Sequence, residues 1–129
     1  MFIPIIAVAC GGAMGALARF GTVVASQFIF GDRFPAGTLL VNCSGSFLIG
    51  LFMSLYIDRL GDVEYLRLFI VVGFLGAYTT FSSFAWDTWV LCMNGEWLMA
   101  MANVLLNNLM TMVLLLVGVQ TGRLIGGFA

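Results

Sequence analysis

Four long apolar runs take up almost the whole of this 129-residue chain. They extend from about Phe2 to Phe28, Gly37 to Ile57, Leu66 to Cys92 and Trp97 to Gln120. A helix that crosses the hydrocarbon core of a bilayer needs roughly 20 mostly apolar residues. With 62% hydrophobic and only 9% charged residues, the composition lies far from that of a soluble domain. We therefore predict an all-α membrane protein whose single domain, residues 1–129, has four transmembrane helices.

Charged and redox-active side chains are scarce, and this limits the functions that the chain can perform. The net charge is −1 and lysine is absent, so no basic patch is available for nucleic acid. Histidine, the side chain that most readily exchanges protons near neutral pH, is also absent. Cys10, Cys43 and Cys92 lack the paired spacing of a zinc or redox motif. The sequence contains no recognisable nucleophile and base pair, and we predict that the chain is not an enzyme.

The third run has a polar centre that a plain membrane helix would not need. Between Gly73 and Asp87 the sequence GFLGAYTTFSSFAWD contains two glycines, two threonines and two serines. In hydrocarbon, an unwound backbone is tolerated only where protein buries it or where it lines a watery cavity, because each unpaired amide or carbonyl costs several kcal/mol. We therefore predict a broken third helix whose interruption is the functional site.

Two other runs carry polar or small residues at four-residue spacing, which places them on one helical face. They are Thr38, Asn42, Ser46 and Gly50 in the second run and Asn103, Asn107 and Thr111 in the fourth. Hydrogen bonds between helices would explain such stripes and are worth about 1 kcal/mol each. Because Asn42 has two donors and two acceptor lone pairs to satisfy, we favour a pore-facing Asn42 and a wet path between the two stripes.

Three short motifs occur in order along the chain. They read GGxxGAxxRF from Gly11 to Phe20, GTLxVNxxGSFxxG from Gly37 to Gly50, and GxxTTFSxF from Gly76 to Phe84. In these motifs the chain resembles the small bacterial fluoride channels called Fluc or CrcB, and the resemblance covers three of the four predicted helices. It implies a passive fluoride channel of the bacterial inner membrane, built as an antiparallel homodimer with two pores.

The resemblance also assigns roles to residues of the third run. It implies that Phe81 and Phe84 line the fluoride path with their ring edges. Such edges are electropositive, so they could favour a small anion without offering a site to a cation. Thr80 belongs to the same motif, and Ser83 stands where the family usually has threonine; their hydroxyls are further candidates for the path. Along the fourth run the family usually has tyrosine and serines, so only the idea of a polar track is carried over.

A structural sodium ion at the dimer centre is a further implication of the resemblance. Main-chain carbonyls of Gly76 and Thr79 would hold it, and carbonyl oxygens freed by a helix break are suitable ligands for a hard cation. Ala77 stands where the family commonly has a second glycine, and Asp87 stands where it generally has glutamate. The shorter carboxylate puts the reach of Asp87 into the pore in doubt.

Arg19 follows the glycine-rich face of the first run. Gly11 and Gly15 on that face have the small-xxx-small spacing that lets helices approach closely in lipid. Arg19 could snorkel to the membrane interface, or its positive charge could line the mouth of an anion path. An arginine occupies this place in the family as well, which does not decide between the two roles.

Polar stretches separate the runs and set the charge balance across the membrane. Residues 30–36 have a turn composition, Asp58 to Arg67 is a charge-dense loop, and Asn94 to Glu96 is a very short third loop. With four helices, one side of the membrane has Arg59, Arg67 and Arg123 and the other has Arg19 and Arg33. Such a small positive-inside bias predicts dual topology, in which copies insert both ways up and pair antiparallel.

The leading hypothesis is a passive, fluoride-selective channel. Its selectivity over chloride would come from a narrow path lined by Asn42, hydroxyl groups and aromatic edges. The partners would be fluoride, a second copy of the chain and the lipid bilayer. One alternative is a small dual-topology multidrug exporter, which needs an intramembrane carboxylate for proton exchange; Asp87 is the only candidate. Another is an assembly subunit that transports nothing, in which the polar stripes serve packing.

Overall fold

The computed structural model describes residues 2–56 and 64–127, and most of these residues are helical. The elements are α1 Phe2–Phe30, α2 Ala36–Leu55, α3 Glu64–Arg67, a π-helical segment Leu68–Leu75, α4 Gly76–Tyr78, α5 Phe81–Met93 and α6 Trp97–Gly126. Elements α3 to α5 follow one another in a third rod, Glu64–Met93. Within the described residues this rod, α1, α2 and α6 are each long and apolar enough to cross a membrane. The predicted all-α fold with four such helices is confirmed.

The connection between α1 and α2 comprises residues 31–35. Helix α1 continues to Phe30 rather than ending at Phe28, because the chain turns only at Gly31, whose φ of 75° is a left-handed conformation that suits glycine. Arg33 Nε lies 4.0 Å from Glu96 Oε1 in the connection between α5 and α6. Both connections are therefore at the same end of the bundle. With the Arg33 side chain 79% exposed, this ion pair adds little stability.

The predicted second loop is too long at its C-terminal end. Residues Glu64–Arg67 form α3 instead, with an acid in the first turn, where a helix dipole favours negative charge. The third rod thus begins before the predicted Leu66. The rest of that loop, with Arg59, and the predicted end of the second helix at Ile57 lie outside the described residues.

Helix α6 is longer than the sequence predicts. It ends at Gly126 rather than Gln120. The additional turns have a partner in α2, since a Cβ at Gly122 would collide with the side chain of Ser54. The helix then ends because Gly127 adopts a φ of 80°, the usual glycine conformation just beyond a helix C-terminus.

Helices α2 and α6 form the most extensive helix pair in the described part of the chain. A Cβ at Gly50 would collide with the Leu115 carbonyl, and a Cβ at Gly118 with the Phe47 carbonyl. In lipid, helices associate through such close van der Waals packing rather than through a hydrophobic driving force. The two polar stripes of the sequence are consequently carried by two helices that are held firmly together.

Helix α1 packs against the π-helical segment in a similar way. A Cβ at Gly11 would collide with the Phe69 carbonyl, and a Cβ at Gly15 with the Phe74 carbonyl. From the other side, Gly73 lies against the α1 backbone. The close packing predicted from the glycine spacing of the first run is confirmed. The partner is unusual, since π-helix mostly occurs as single-turn bulges and this segment has eight residues.

The interior of the bundle is more polar than its exterior. The buried polar residues are Ser26, Thr38, Ser54, Thr80, Asn103 and Asn107, whereas many large apolar side chains of α1 and α6 point outward. A soluble protein rarely exposes such large apolar areas. This distribution suits a helix bundle whose outer surface meets hydrocarbon and whose inner surface carries hydrogen-bonding groups.

Candidate functional site

The regular helix of the third rod stops at two consecutive threonines. Thr79 and Thr80 are extended, with φ and ψ of −82° and 157° at the first and −154° and 119° at the second. Thr80 caps the helix that follows, because its Oγ1 accepts a hydrogen bond of 3.1 Å from the Ser83 amide. The Thr79 amide still donates to the Leu75 carbonyl at 3.0 Å, but the main-chain groups of Thr80 need partners outside the helical pattern.

Asn42 of α2 supplies those partners for Thr80. Its Oδ1 accepts from the Thr80 amide at 2.8 Å, and its Nδ2 donates to the Thr80 carbonyl at 3.0 Å. One side-chain amide thus pairs with both main-chain groups of one residue. Because an unpaired buried amide or carbonyl is costly, this contact stabilises the extended conformation, and α2 fixes where the extended residues lie.

A row of side chains continues from Asn42 across α6 to α5. Asn42 Nδ2 donates to Asn107 Oδ1 at 3.0 Å, and Asn107 Nδ2 donates to Asn103 Oδ1 at 2.9 Å. Asn103 Nδ2 then donates to Thr88 Oγ1 at 2.9 Å, and Thr88 Oγ1 donates to the Phe84 carbonyl at 2.8 Å. We call Asn42, Asn107, Asn103 and Thr88 the amide ladder. It connects the two polar stripes predicted from the sequence.

A cavity of about 390 Å³ lies beside the extended threonines. Its lining comes from α2, the π-helical segment, α4, α5 and α6, namely Asn42, Gly45, Ser46, Ile49, Val71, Leu75, Gly76, Thr79, Thr80, Phe81, Phe84, Asn107, Asn108 and Thr111. None of these side chains carries a charge. The cavity therefore offers neutral hydroxyls, amides and aromatic rings, but no fixed counter-ion.

Phe81 and Phe84 contact each other at this cavity. Their ring centroids are 5.3 Å apart with an angle of 62° between the planes, an edge-to-face arrangement. Phe84 is 8% exposed, whereas Phe81 is 76% exposed. Phe84 is thus fixed in the bundle, while Phe81 presents most of its ring outward from the single chain.

The structure groups most of the predicted site residues but leaves three outside the cavity wall. Six predicted path residues line the cavity, as do both residues predicted to bind sodium: Asn42, Thr80, Phe81, Phe84, Asn107 and Thr111, together with Gly76 and Thr79. Ser83, Asn103 and Arg19 do not line it. Ser83 accepts a hydrogen bond from Thr80 Oγ1 at 3.1 Å, and Asn103 is fully buried at 0% exposure.

Several lining residues were not predicted as site residues. Ile49, Val71 and Leu75 are apolar and carry no signal in sequence that separates them from lipid-facing residues. Ser46 belonged to a predicted stripe, and this was the signal that could have identified it. In the part of the chain that the structure describes, its hydroxyl has no hydrogen-bond partner, although it lies at the cavity.

Asp87 lies in a separate, smaller cavity of about 140 Å³ near the α1–α2 connection. Its Oδ2 accepts a 2.6 Å hydrogen bond from Thr38 Oγ1. Ser26 and Asp32 also line this space. Asp87 does not reach the larger cavity, so the first member of the α2 stripe binds a carboxylate rather than facing the neutral site.

Four apolar helices, three of which enclose a neutral, polar cavity, define a small multi-pass membrane protein. The family described as "CrcB-like protein, Camphor Resistance (CrcB)" matches residues 6–119. The chain belongs to this family, and the resemblance read from the three motifs is confirmed.

Curated relatives agree along most of the chain. The chain is 42% identical over 120 residues to a protein of Legionella pneumophila, covering 93% of this chain and 90% of the relative. It is 51% identical over 100 residues to a protein of Solibacter usitatus, covering 76% and 80% respectively. A protein of Hydrogenovibrio crunogenus is 43% identical over 123 residues, covering 94% and 92%. Each of these three proteins is named "Fluoride-specific ion channel FluC".

Proposed function

We propose that this chain forms a passive, fluoride-selective ion channel. The observation that carries the proposal is the identity of 42% over 93% of the chain to a protein named as a fluoride-specific channel. The neutral cavity beside the extended threonines supports it. Because the relatives are named as channels rather than enzymes, no catalytic activity is proposed.

The chemistry of the cavity suits weak binding of a small anion. Phe81 and Phe84 can turn electropositive ring edges toward an ion, and the Ser46 hydroxyl is available as a donor. Among the residues that the structure describes, no cationic side chain lines the cavity, so an anion would not be trapped by a fixed opposite charge there. Conduction requires binding that is favourable enough for entry and weak enough for release.

We further propose that Thr79 and Thr80 lie within the bilayer, as the interruption of the third membrane helix. Non-helical backbone at membrane depth is tolerated where it is buried in protein or lines a cavity. Both conditions have support, because Asn42 pairs with Thr80 and both threonines line the cavity. The neutral cavity would then be part of the ion path.

An antiparallel homodimer with dual topology completes the proposed channel. Phe81 is largely exposed in the single chain, and a second copy would enclose it. Reporters fused to the C-terminus and active on only one side of the membrane test the topology. Signal from both sides is expected, and signal from one side alone would contradict dual topology.

A structural sodium ion at the dimer centre is also proposed, held by the main-chain carbonyls of Gly76 and Thr79. Both residues line the cavity, and the extended conformation of Thr79 turns its carbonyl out of the helical pattern. Carbonyl oxygens of this kind suit a hard cation. Each of two copies would contribute the same pair of oxygens, so the ion would also join the subunits.

The function is tested with purified protein in liposomes that are loaded with fluoride. An ion electrode should record rapid fluoride efflux once a potassium ionophore allows charge compensation, and chloride-loaded vesicles should release little chloride. Equal chloride efflux would remove the claim of selectivity. Absence of fluoride efflux from folded protein would remove the channel itself. In cells, we place the channel in the bacterial inner membrane, where it would let accumulated fluoride leave.

The alternative of a small multidrug exporter has less support. Proton-coupled export needs an intramembrane carboxylate, and Asp87 binds Thr38 in the smaller cavity rather than lining the larger one. Uptake of a quaternary ammonium cation into vesicles with a proton gradient would favour the exporter. A folded dimer without any ion flux would instead favour an assembly subunit.

A further inference from the structure

Two amide side chains at the cavity, those of Asn42 and Asn107, have already used their donors. A side-chain amide has two N–H groups. Those of Asn42 go to the Thr80 carbonyl and Asn107 Oδ1, and those of Asn107 go to the main-chain and side-chain oxygens of Asn103. Neither residue keeps an N–H for an anion in the cavity. Their polarity must therefore serve another purpose.

The amide ladder holds the first two turns of α5 at both ends. Asn42 binds the main chain of Thr80, immediately before α5. At the other end Asn103 binds Thr88, which in turn donates to the Phe84 carbonyl. Phe81 and Phe84 lie between Thr80 and Thr88, so the amide ladder fixes the part of α5 that carries these two aromatic rings.

Two members of the amide ladder are buried, so their hydrogen bonds are costly to lose. Asn103 is 0% exposed and Asn107 is 5% exposed, and a buried amide that loses its partner pays the cost of desolvation without compensation. Asn103 and Thr88 do not line the cavity, so they cannot act by touching an ion there. Any effect that they have on conduction has to pass through Asn107, which lines the cavity, or through the position of α5.

We propose that Asn107, Asn103 and Thr88 are positioning residues of the ion path. They set the orientation of α5, and with it the aim of Phe81 and Phe84, through successive hydrogen bonds that start at Asn42. This inference rests on the proposed function for the path itself. The sequence instead predicts that Asn103 and Asn107 belong to a wet polar track along the pore.

Thr88→Val is the first test, because it removes one hydroxyl outside the cavity at almost constant shape. We expect fluoride flux to fall about fivefold, the size of one hydrogen bond inside a membrane bundle. Thr88→Ser keeps the hydroxyl and should restore flux to near the original value. Thr121→Val is the matched control, because within residues 2–56 and 64–127 the Thr121 hydroxyl bonds only the Val117 carbonyl of its own helix, and the flux of this variant should not change.

A double-mutant cycle tests whether Thr88 acts through Asn103. If it does, Thr88→Val should add little to the flux lost in Asn103→Ser, since both break the same link. Independent, multiplicative losses would overturn the ladder. So would unchanged flux in Thr88→Val, provided that the wild type conducts fluoride.

Amide hydrogen exchange gives a readout that does not depend on transport. Breaking the ladder at Thr88 should speed exchange of the Thr80 amide, whereas Thr121→Val should leave it unchanged. If Thr88→Val does not give monodisperse protein, Asn103→Ser provides the same comparison. If the wild type shows no fluoride flux, the proposed function is refuted. The exchange measurement would still show whether the amide ladder holds Thr80 in place. If the exchange rate of the Thr80 amide is unchanged in Thr88→Val, the amide ladder is overturned.

Discussion

The two halves of the third rod are held in place by different physical means. The half before the threonines, Leu68–Leu75 with its flanking turns, packs on α1 through glycines and main-chain carbonyls. The half after them, α5, is held by side-chain hydrogen bonds from α2 and α6. One half is fixed by shape, and the other by polar pairing.

This difference separates a supporting role from a functional one. Shape packing against glycine tolerates almost no added volume, and this half contributes only the apolar side chains of Val71 and Leu75 and the main chain of Gly76 to the cavity lining. Polar pairing instead satisfies the extended threonines and orients the aromatic rings at the same time. We infer that mutations in the first half act mainly on stability, and that mutations in the second half act mainly on conduction.

The largest effect is expected where the shape-packed half is disturbed. Gly15→Ala places a Cβ against the Phe74 carbonyl, and main chain cannot move aside cheaply. We expect a loss of about 3 kcal/mol in stability, at the upper end for overpacking, measured as a lower melting temperature in detergent. Gly21→Ala on the same helix is the control, because nothing lies near its Cβ. Equal melting temperatures for the two variants would refute shape packing as the main anchor.

The next effect concerns the joint between the halves. Asn42→Leu removes the partner of both Thr80 main-chain groups, and we expect a cost of about 2 kcal/mol together with loss of most fluoride flux. Asn108→Leu is a control for stability, since the Asn108 side chain is exposed and bonds only the Val104 carbonyl of its own helix. A melting temperature that is no lower for Asn42→Leu than for Asn108→Leu would contradict the role given to the contact between Asn42 and Thr80.

A smaller effect, confined to transport, is expected from the aromatic pair. Phe81→Ile removes an exposed ring and should reduce fluoride flux about tenfold, the upper range for a specific aromatic interaction, while the melting temperature stays close to that of the wild type. Phe84→Ile should reduce flux similarly but also lower stability, because Phe84 is buried. Liposome efflux and thermal unfolding of both variants provide the check. Unchanged flux in both would remove the rings from the ion path.

The smallest effect should come from Ser46. Its hydroxyl has no partner in the described part of the chain, so Ser46→Ala should leave stability unchanged while flux falls about threefold, the lower range for one hydrogen bond. The matched control is Ser44→Ala on the same helix, whose hydroxyl contacts Leu40 and Tyr78 outside the cavity lining. A loss of stability in Ser46→Ala would show that this hydroxyl has a structural role instead.

Much of the fold could be predicted because run length and small-residue spacing are local properties. The four apolar runs correspond to four helices, and the spacing of Gly11 and Gly15 indicated a close helix contact. The π-helical segment could not be predicted, since the uniformly apolar sequence of Leu68–Leu75 does not distinguish π winding from α winding. The extension of α6 to Gly126 depends on its contact with α2.

The sequence predicts which helical faces form the site, but not which side chains on those faces bond to one another. Four-residue spacing predicted that Asn42 and Asn107 face one path, and both residues line the cavity. Spacing cannot tell whether an amide on such a face donates to an ion or to another side chain, and here the donors go to Thr80, Asn107 and Asn103. Asn103 therefore lies behind the cavity wall, although it shares a helical stripe with two residues that line it.

The winding of the π-helical segment determines in which direction, around the axis of the third rod, the side chains after it point. Deleting a single residue between Leu68 and Leu75 would return the segment toward ordinary helical winding, and each residue of an α-helix accounts for about 100° of rotation. The threonines and the rings beyond them would then point to a different side of the bundle. The unusual winding of eight residues thus sets the rotation of the extended threonines, the first of which lies four residues after the segment ends.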